Sequence, residues 1–318
     1  MPELFVFIIS LIAVIVGADW LGNSASHFAK KFALPKVLIG ATIVSFATTL
    51  PEITIAGISG LEGASEVGLG TVFGSPLVNI GLMFGILLIF SPPLTDKSYF
   101  SRTIKFFLVA LGLILILSFT DGITRISGCI LIIFGFIYLF IQLIAGKSEE
   151  SFLEQIENRF EKLTSFFSQQ KNYYDIIYFI LGSILLVTGA HFLVNSTIYL
   201  AEIIGASQVV VGFIIIAFGT SIPEILTTFN SIIRNRPSIS AGNLFGASIF
   251  DITFALGLSG IFTGSKLDQT GLYFTIGSLA ILGVIGLLYI YTQFSPKILG
   301  LTLIATYLIS IIIFGNIG

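Results

Sequence analysis

Ten runs of about twenty apolar residues, parted by short polar stretches, organise this chain; they fall near 2–21, 37–61, 66–91, 104–120, 123–145, 174–198, 207–233, 238–262, 271–292 and 297–317. Roughly 20 helical residues cross a hydrocarbon core about 30 Å thick, so each run predicts one transmembrane helix. Two of the runs contain residues that such a helix ordinarily avoids. SFATTLPE (45–52) and AFGTSIPE (217–224) each set a proline beside a glutamate near mid-span.

Composition agrees with the pattern. Of 318 residues, 55% are hydrophobic and only 10% charged, with a mean hydropathy of +1.03; soluble domains carry about a quarter charged residues. The net charge of −2 comes with no basic cluster, so no nucleic-acid partner is expected and the composition points to the lipid bilayer, with inorganic cations suggested instead by the candidate site residues. The single cysteine, Cys129, excludes an intrachain disulfide and a cysteine-rich metal site. The opening MPELFVFIIS has no basic region and no clear cleavage site, so the first run is expected to remain as a span.

Lysine and arginine favour the cytoplasmic side of a membrane protein. The connections after runs one, three, five, seven and nine carry 13 of these residues, and the opposite side has only Arg125 and Lys266. The expected placement is the cell membrane with both termini extracellular and the 146–173 loop cytoplasmic. Within that loop, Ser151 and Glu154 resemble a capping box, and Phe152, Ile156, Phe160, Leu163 and Phe167 recur at helical spacing. A short amphipathic helix serving as a tether is expected there, with a regulatory role as the alternative.

The two interrupted runs belong to a repeat. Residues 17–53 align without a gap on 189–225 at an offset of 172, and the same offset carries GTVFGSPLVNIGLMFG (70–85) onto GNLFGASIFDITFALG (242–257). Each half then holds five spans, 1–145 and 174–318. An odd number makes equivalent segments run in opposite directions. The predicted fold is an all-α membrane protein of ten transmembrane helices in two inverted five-helix repeats, with broken helices around a midplane ion site.

Proline within a helix removes a backbone donor and crowds the carbonyl four residues earlier. Pro51 is expected to free the carbonyl of Ala47, and Pro223 that of Gly219. In lipid, a freed acceptor is tolerated where it meets protein or lines a cavity. Glu52 and Glu224 each cost roughly 2.5–3.5 kcal/mol at the bilayer centre, and intramembrane carboxylates mark functional sites. Asp251 is a third acid, aligned with Asn79, and no lysine or arginine lies at comparable depth in these segments. Hard cations take oxygen ligands, six to eight for Ca²⁺. The candidates are Glu52, Glu224, Asn79, Asp251, freed carbonyls, and the hydroxyls of Ser45, Thr48, Thr49, Ser75, Thr220 and Ser221. Histidine and cysteine are missing from the set, which disfavours zinc and copper; His27 and His191 lie near span ends and read as interfacial residues. GLGTVFG (68–74) lacks dinucleotide-fingerprint spacing and a preceding strand, so no cofactor is expected.

With ATTLPE and GTSIPE on the second and seventh runs, and GTVFGSPLVN and GNLFGASIFD on the third and eighth, the chain resembles the cation/calcium exchanger superfamily, nearest to prokaryotic sodium/calcium exchangers. The resemblance implies Ca²⁺ and Na⁺ binding by Glu52 and Glu224, with Ser75, Asn79 and Asp251 alongside. It also implies hydroxyl or carbonyl ligands at Ser45, Thr48, Thr49, Ala217, Thr220 and Ser221, and movement of the first and sixth spans against the rest. The chain departs from the family pattern at Ala247, where a serine usually matches Ser75, at Thr71 in place of asparagine, and at Ala47 in place of glycine. The function implied is antiport of Ca²⁺ against Na⁺ by alternating access, for which a monomer suffices. Exchange against H⁺ on the same carboxylates is the alternative. A passive channel needs no carboxylate-gated occlusion, and an intramembrane enzyme is disfavoured because neither HExxH nor GxSxG occurs.

Overall fold

A backbone in lipid must satisfy its own polar groups, and a helix does so within one segment. The computed structural model describes residues 2–31, 44–92, 97–119, 123–146, 172–234, 237–263 and 269–317, and helices make up nearly all of them. In chain order they are α1 (Pro2–Lys31), α2 (Val44–Thr48), α3 (Leu50–Leu61), α4 (Ser65–Pro76), α5 (Gly85–Phe90), α6 (Lys97–Ser118), α7 (Arg125–Gly146) and α8 (Asn172–Ile204). The rest are α9 (Gln208–Val211), α10 (Ala217–Thr220), α11 (Ile222–Ile233), α12 (Pro237–Phe250), α13 (Leu256–Thr263), α14 (Gln269–Tyr291) and α15 (Pro296–Ile317). Three π-helical stretches join their neighbours: Leu77–Phe84 between α4 and α5, Gly212–Ile216 between α9 and α10, and Asp251–Ala255 between α12 and α13.

Among the described residues, eight helices are long and apolar enough to cross a membrane, and a ninth span is the pair Gln208–Thr220 and Ile222–Ile233, bent by 43°. These match nine of the ten predicted runs. The tenth, 37–61, is described only from residue 44, as α2 and the apolar helix α3. Helices α1 and α8 outrun their predicted ends at 21 and 198, because the chain stays helical beyond the point where polar residues begin. The amphipathic helix expected over 152–167 lies outside the described residues, as does the 121–122 junction.

Neither motif proline kinks a continuous helix; each begins a new one. Thr49 and Ser221 sit at the breaks, and Pro51 and Pro223 occupy the first turns of α3 and α11, where a missing N–H costs nothing. Glu52 and Glu224 follow at once, in the first turn, where the helix dipole favours a negative charge.

Buried apolar side chains form two clusters. The larger fills the space among α3–α7 and α9–α15, with Phe84, Phe100 and Phe245 packed edge to face or tilted at its centre. The smaller follows α1 and α8, through Phe7, Val14, Ala18, Leu186, Ala190, Leu193 and Val194. These two long helices pack on each other over much of their length. They approach to backbone contact at glycines: a β-carbon on Gly17 would stand 2.5 Å from Leu186 N, and one on its repeat mate Gly189 3.0 Å from Val14 N. Small residues of this kind permit close helix association in membranes.

Candidate cation site

The candidate site lies where the two broken helices meet α4 and α12. Backbones touch there as well: a β-carbon on Gly70 would fall 2.2 Å from Val209 O, and one on Gly74 2.3 Å from Phe213 O. This approach of α4 to the seventh span sets Ser75 against the opposite motif. Its hydroxyl donates to Glu52 Oε1 at 3.0 Å and shares a 2.9 Å contact with the Ser221 hydroxyl, joining residues 146 positions apart.

The two motifs also cross. The Thr220 hydroxyl stands beside the carboxylate of Glu52 and that of Thr48 beside Glu224, while each donates within its own motif, Thr220 to Ile216 O and Thr48 to Ser45 O, both at 3.1 Å. Each glutamate thus has a threonine from the other half of the chain beside it. Glu52, Glu224, Asp251, Asn79 and Ser75 are each only 1% exposed, and the three acids lie within electrostatic reach of one another. Asn79 and Asp251 stand on π-helical stretches; such widened turns recur at functional sites.

Five acceptor atoms in this cluster have no hydrogen-bond partner: Glu52 Oε2, Glu224 Oε2, Asn79 Oδ1 and both carboxylate oxygens of Asp251. Leaving one buried acceptor unmade costs roughly 1–3 kcal/mol, more when it is charged. No ion pair with a described residue neutralises the three acids. Among the described residues, no three His, Cys, Asp or Glu side chains form a compact metal-binding group by themselves. A cation here therefore needs hydroxyl, amide or carbonyl oxygens to complete its shell, the donor mixture that suits Ca²⁺ and Na⁺ rather than zinc.

The remaining candidates are placed differently. Thr49 donates to Ser45 O at 2.7 Å, and Thr48 also lies 3.1 Å from that carbonyl, which accepts Thr49 N too. The Ser45 hydroxyl donates to Asn243 Oδ1 at 2.9 Å. Asn243 is thus drawn to the first motif, a link that spacing along the chain does not reveal. Ala217 is buried, and its carbonyl accepts Ser221 N at 3.1 Å. Residues 17–53 and 189–225 align, yet the hydroxyls at Ser45 and Ser75 have alanine mates at 217 and 247, so the site is chemically lopsided.

Sequence reasoning missed one polar contact away from this cluster. His191 Nδ1 meets Glu62 Oε1, and Asn195 donates to Glu62 Oε2 at 3.2 Å, which joins α8 to the end of α3.

Comparison with known proteins gives a consistent picture. The family described as Sodium/calcium exchanger protein matches residues 3–144 and again 174–315. An uncharacterised membrane protein of Methanocaldococcus jannaschii is 28% identical, the match covering 96% of this chain and 95% of that one. The sodium/calcium exchanger MaX1 of Methanosarcina acetivorans is 25% identical over 92% of each. Among solved structures, the sodium-calcium exchanger NCX_Mj, soaked with Na⁺ and Sr²⁺, superposes with a TM-score of 0.65 at 26% identity, over 98% of this chain and 97% of that one.

Proposed function

The chain belongs to the sodium/calcium exchanger protein family, and from that premise we propose that it is an antiporter of the cell membrane, exporting Ca²⁺ in exchange for Na⁺ through one midplane site that both ions share. The observation that carries the reading is the set of buried oxygens without partners, contributed by both halves of the chain and with no ion-pair partner among the described residues. Ionised Glu52, Glu224 and Asp251 attract one divalent or several monovalent cations. Glu52, Glu224, Asn79 and Asp251 are the proposed charged and amide ligands, with Ser75, Thr48, Thr220 and Ser221 beside them and Ser45, Thr49 and Ala217 supporting the motif backbones.

Exchange follows from electrostatics. Enclosing uncompensated carboxylates in a low dielectric is costly, whereas enclosing them around a cation is not. The protein accordingly changes sides only when loaded, and an ion leaving on one side must be replaced before the return. In this reading, 1–145 and 174–318 are inverted five-helix repeats, the termini are extracellular and 146–173 is cytoplasmic. The pair α1 and α8, with its own apolar cluster and glycine-lined crossing, is the part that moves. A second reading, exchange against H⁺, draws on Ala247: with no hydroxyl at that position, protonation is another way to satisfy Glu224.

The test is counter-ion-dependent ⁴⁵Ca uptake in vesicles. Glu52→Gln and Glu224→Gln are each expected to abolish it, and robust exchange in both variants would remove the assignment. Replacing the Na⁺ gradient by a pH gradient separates the two readings: uptake driven by the sodium gradient alone supports the first, and uptake driven by the pH gradient alone supports the second.

A further inference from the structure

The contact between α8 and α3 has a counterpart in the repeat. Glu62 caps the end of α3, and it is held by His191 and by Asn195, whose amide also lies 3.0 Å from His191 O. The offset of 172 carries Glu62 onto Arg234, and it carries Asp19 and Asn23 onto His191 and Asn195. Arg234 caps α11 just as Glu62 caps α3, while Asp19 and Asn23 lie on α1. The second set therefore repeats the first with the acid on the long helix and a base at the end of the half-helix. Asp19 and Arg234 are both exposed, and neither makes an ion pair with a described residue.

Packing is unequal in the same sense. Helix α8 packs along α3, whereas α1 has no comparable contact with α11. Helix α3 is largely buried as far as Gly60, while Leu226, Phe229 and Ile233 of α11 are exposed.

We propose that Glu62 with His191 and Asn195, and Arg234 with Asp19 and Asn23, are two alternating latches, only one of which is made at a time, and that they hold the α1–α8 pair at opposite ends of its travel. This inference rests on the antiporter reading above. Two inverted repeats exchange conformations when such a protein changes sides, so the contact made by one set in one state is made by the other set in the opposite state. The two latches are not equal in strength. A carboxylate at a helix C-terminus opposes the helix dipole and gains from a partner, whereas an arginine there is favoured without one. The protein rests with the Glu62 latch made.

The test uses the full chain in liposomes, with Cys129→Ala as the parent. One variant adds Glu62→Cys and His191→Cys, the other Asp19→Cys and Arg234→Cys, and each is treated with a short bifunctional methanethiosulfonate. Each double-cysteine variant has lost its own latch and keeps the other, so the 62/191 rate is expected to rise severalfold when Arg234→Ala is added. Adding Glu62→Gln to the 19/234 variant is expected to raise its rate severalfold, and either cross-link should stop exchange until a reductant is added. A 19/234 rate that ignores Glu62→Gln, or a 62/191 rate that ignores Arg234→Ala, overturns the latches. Absence of any Ca²⁺ exchange in the Cys129→Ala parent counts against the antiporter reading instead, while the cross-linking rates still decide the latches.

Discussion

Gly74→Ala is predicted to pull the cation site open from outside it. The added β-carbon would sit 2.3 Å from Phe213 O and 2.6 Å from the Ala217 β-carbon. Carbon and carbonyl oxygen rest at roughly 3.3 Å or more, so α4 and the π-helical stretch Gly212–Ile216 must part by about 1 Å. The obstructing oxygen is backbone, and no flexible side-chain end can yield in its place. One residue further on, the hydroxyls of Ser75 and Ser221 are 2.9 Å apart. A parting of about 1 Å takes that contact beyond hydrogen-bonding range and tilts Ser75 away from Glu52. Two buried hydrogen bonds, one of them to a carboxylate, are then lost. At roughly 1–3 kcal/mol for the pair, half-saturating Ca²⁺ in the vesicle assay rises by about tenfold or more. Gly112→Ala is the control: nothing lies within 4 Å of its β-carbon, in the middle of α6. That variant should exchange like the parent and melt no lower in detergent. A Gly74→Ala protein with parental half-saturation would refute the claim that this backbone contact sets the site's geometry.

Ser75→Ala removes the same hydroxyl without moving a helix, and half-saturating Ca²⁺ should rise about tenfold. Thr71→Ala, one turn earlier, deletes a hydroxyl that bonds only Val67 O of its own helix, and uptake should be unchanged; equal effects of the two would deny Ser75 a special role. Ala247→Ser supplies the hydroxyl that the second repeat lacks, and half-saturating Na⁺ should fall about three- to tenfold, with a steeper sodium dependence. An unaltered sodium response would mean that position 247 does not face the ion.

Much of this arrangement was legible in the chain. Glu52 and Glu224 stand out because a carboxylate in an apolar run needs a reason, and the 172-residue offset pairs them before any coordinates are seen. The prolines announced the breaks, although their role is to open α3 and α11 rather than to bend one long helix. The π-helical stretches were not legible. Hydrophobic periodicity reveals helix geometry only when one face is polar, and Leu77–Phe84 and Gly212–Ile216 are apolar almost throughout. Nor does spacing reveal that Ser75 reaches Ser221, or that the Ser45 hydroxyl turns to Asn243, because such contacts depend on how spans far apart in the chain come together. His191 was read as an interfacial residue near a span end and Glu62 was not singled out; aligning their mates, Asp19 and Arg234, carries the signal that joins them.

The widened turns also govern which changes of length the chain can survive. Each carries more residues per turn than an α-helix, and the register of everything downstream is counted through it. Removing one residue from Leu77–Phe84 with the widened turns kept would rotate α5 by about 100° relative to α4, moving Leu87 to the half-buried place of Ile86 and Phe90 from the surface to that of Ile89. A change of length in the connections between spans leaves this register intact, whereas a change within these few residues is carried into the packing of every residue up to the next connection.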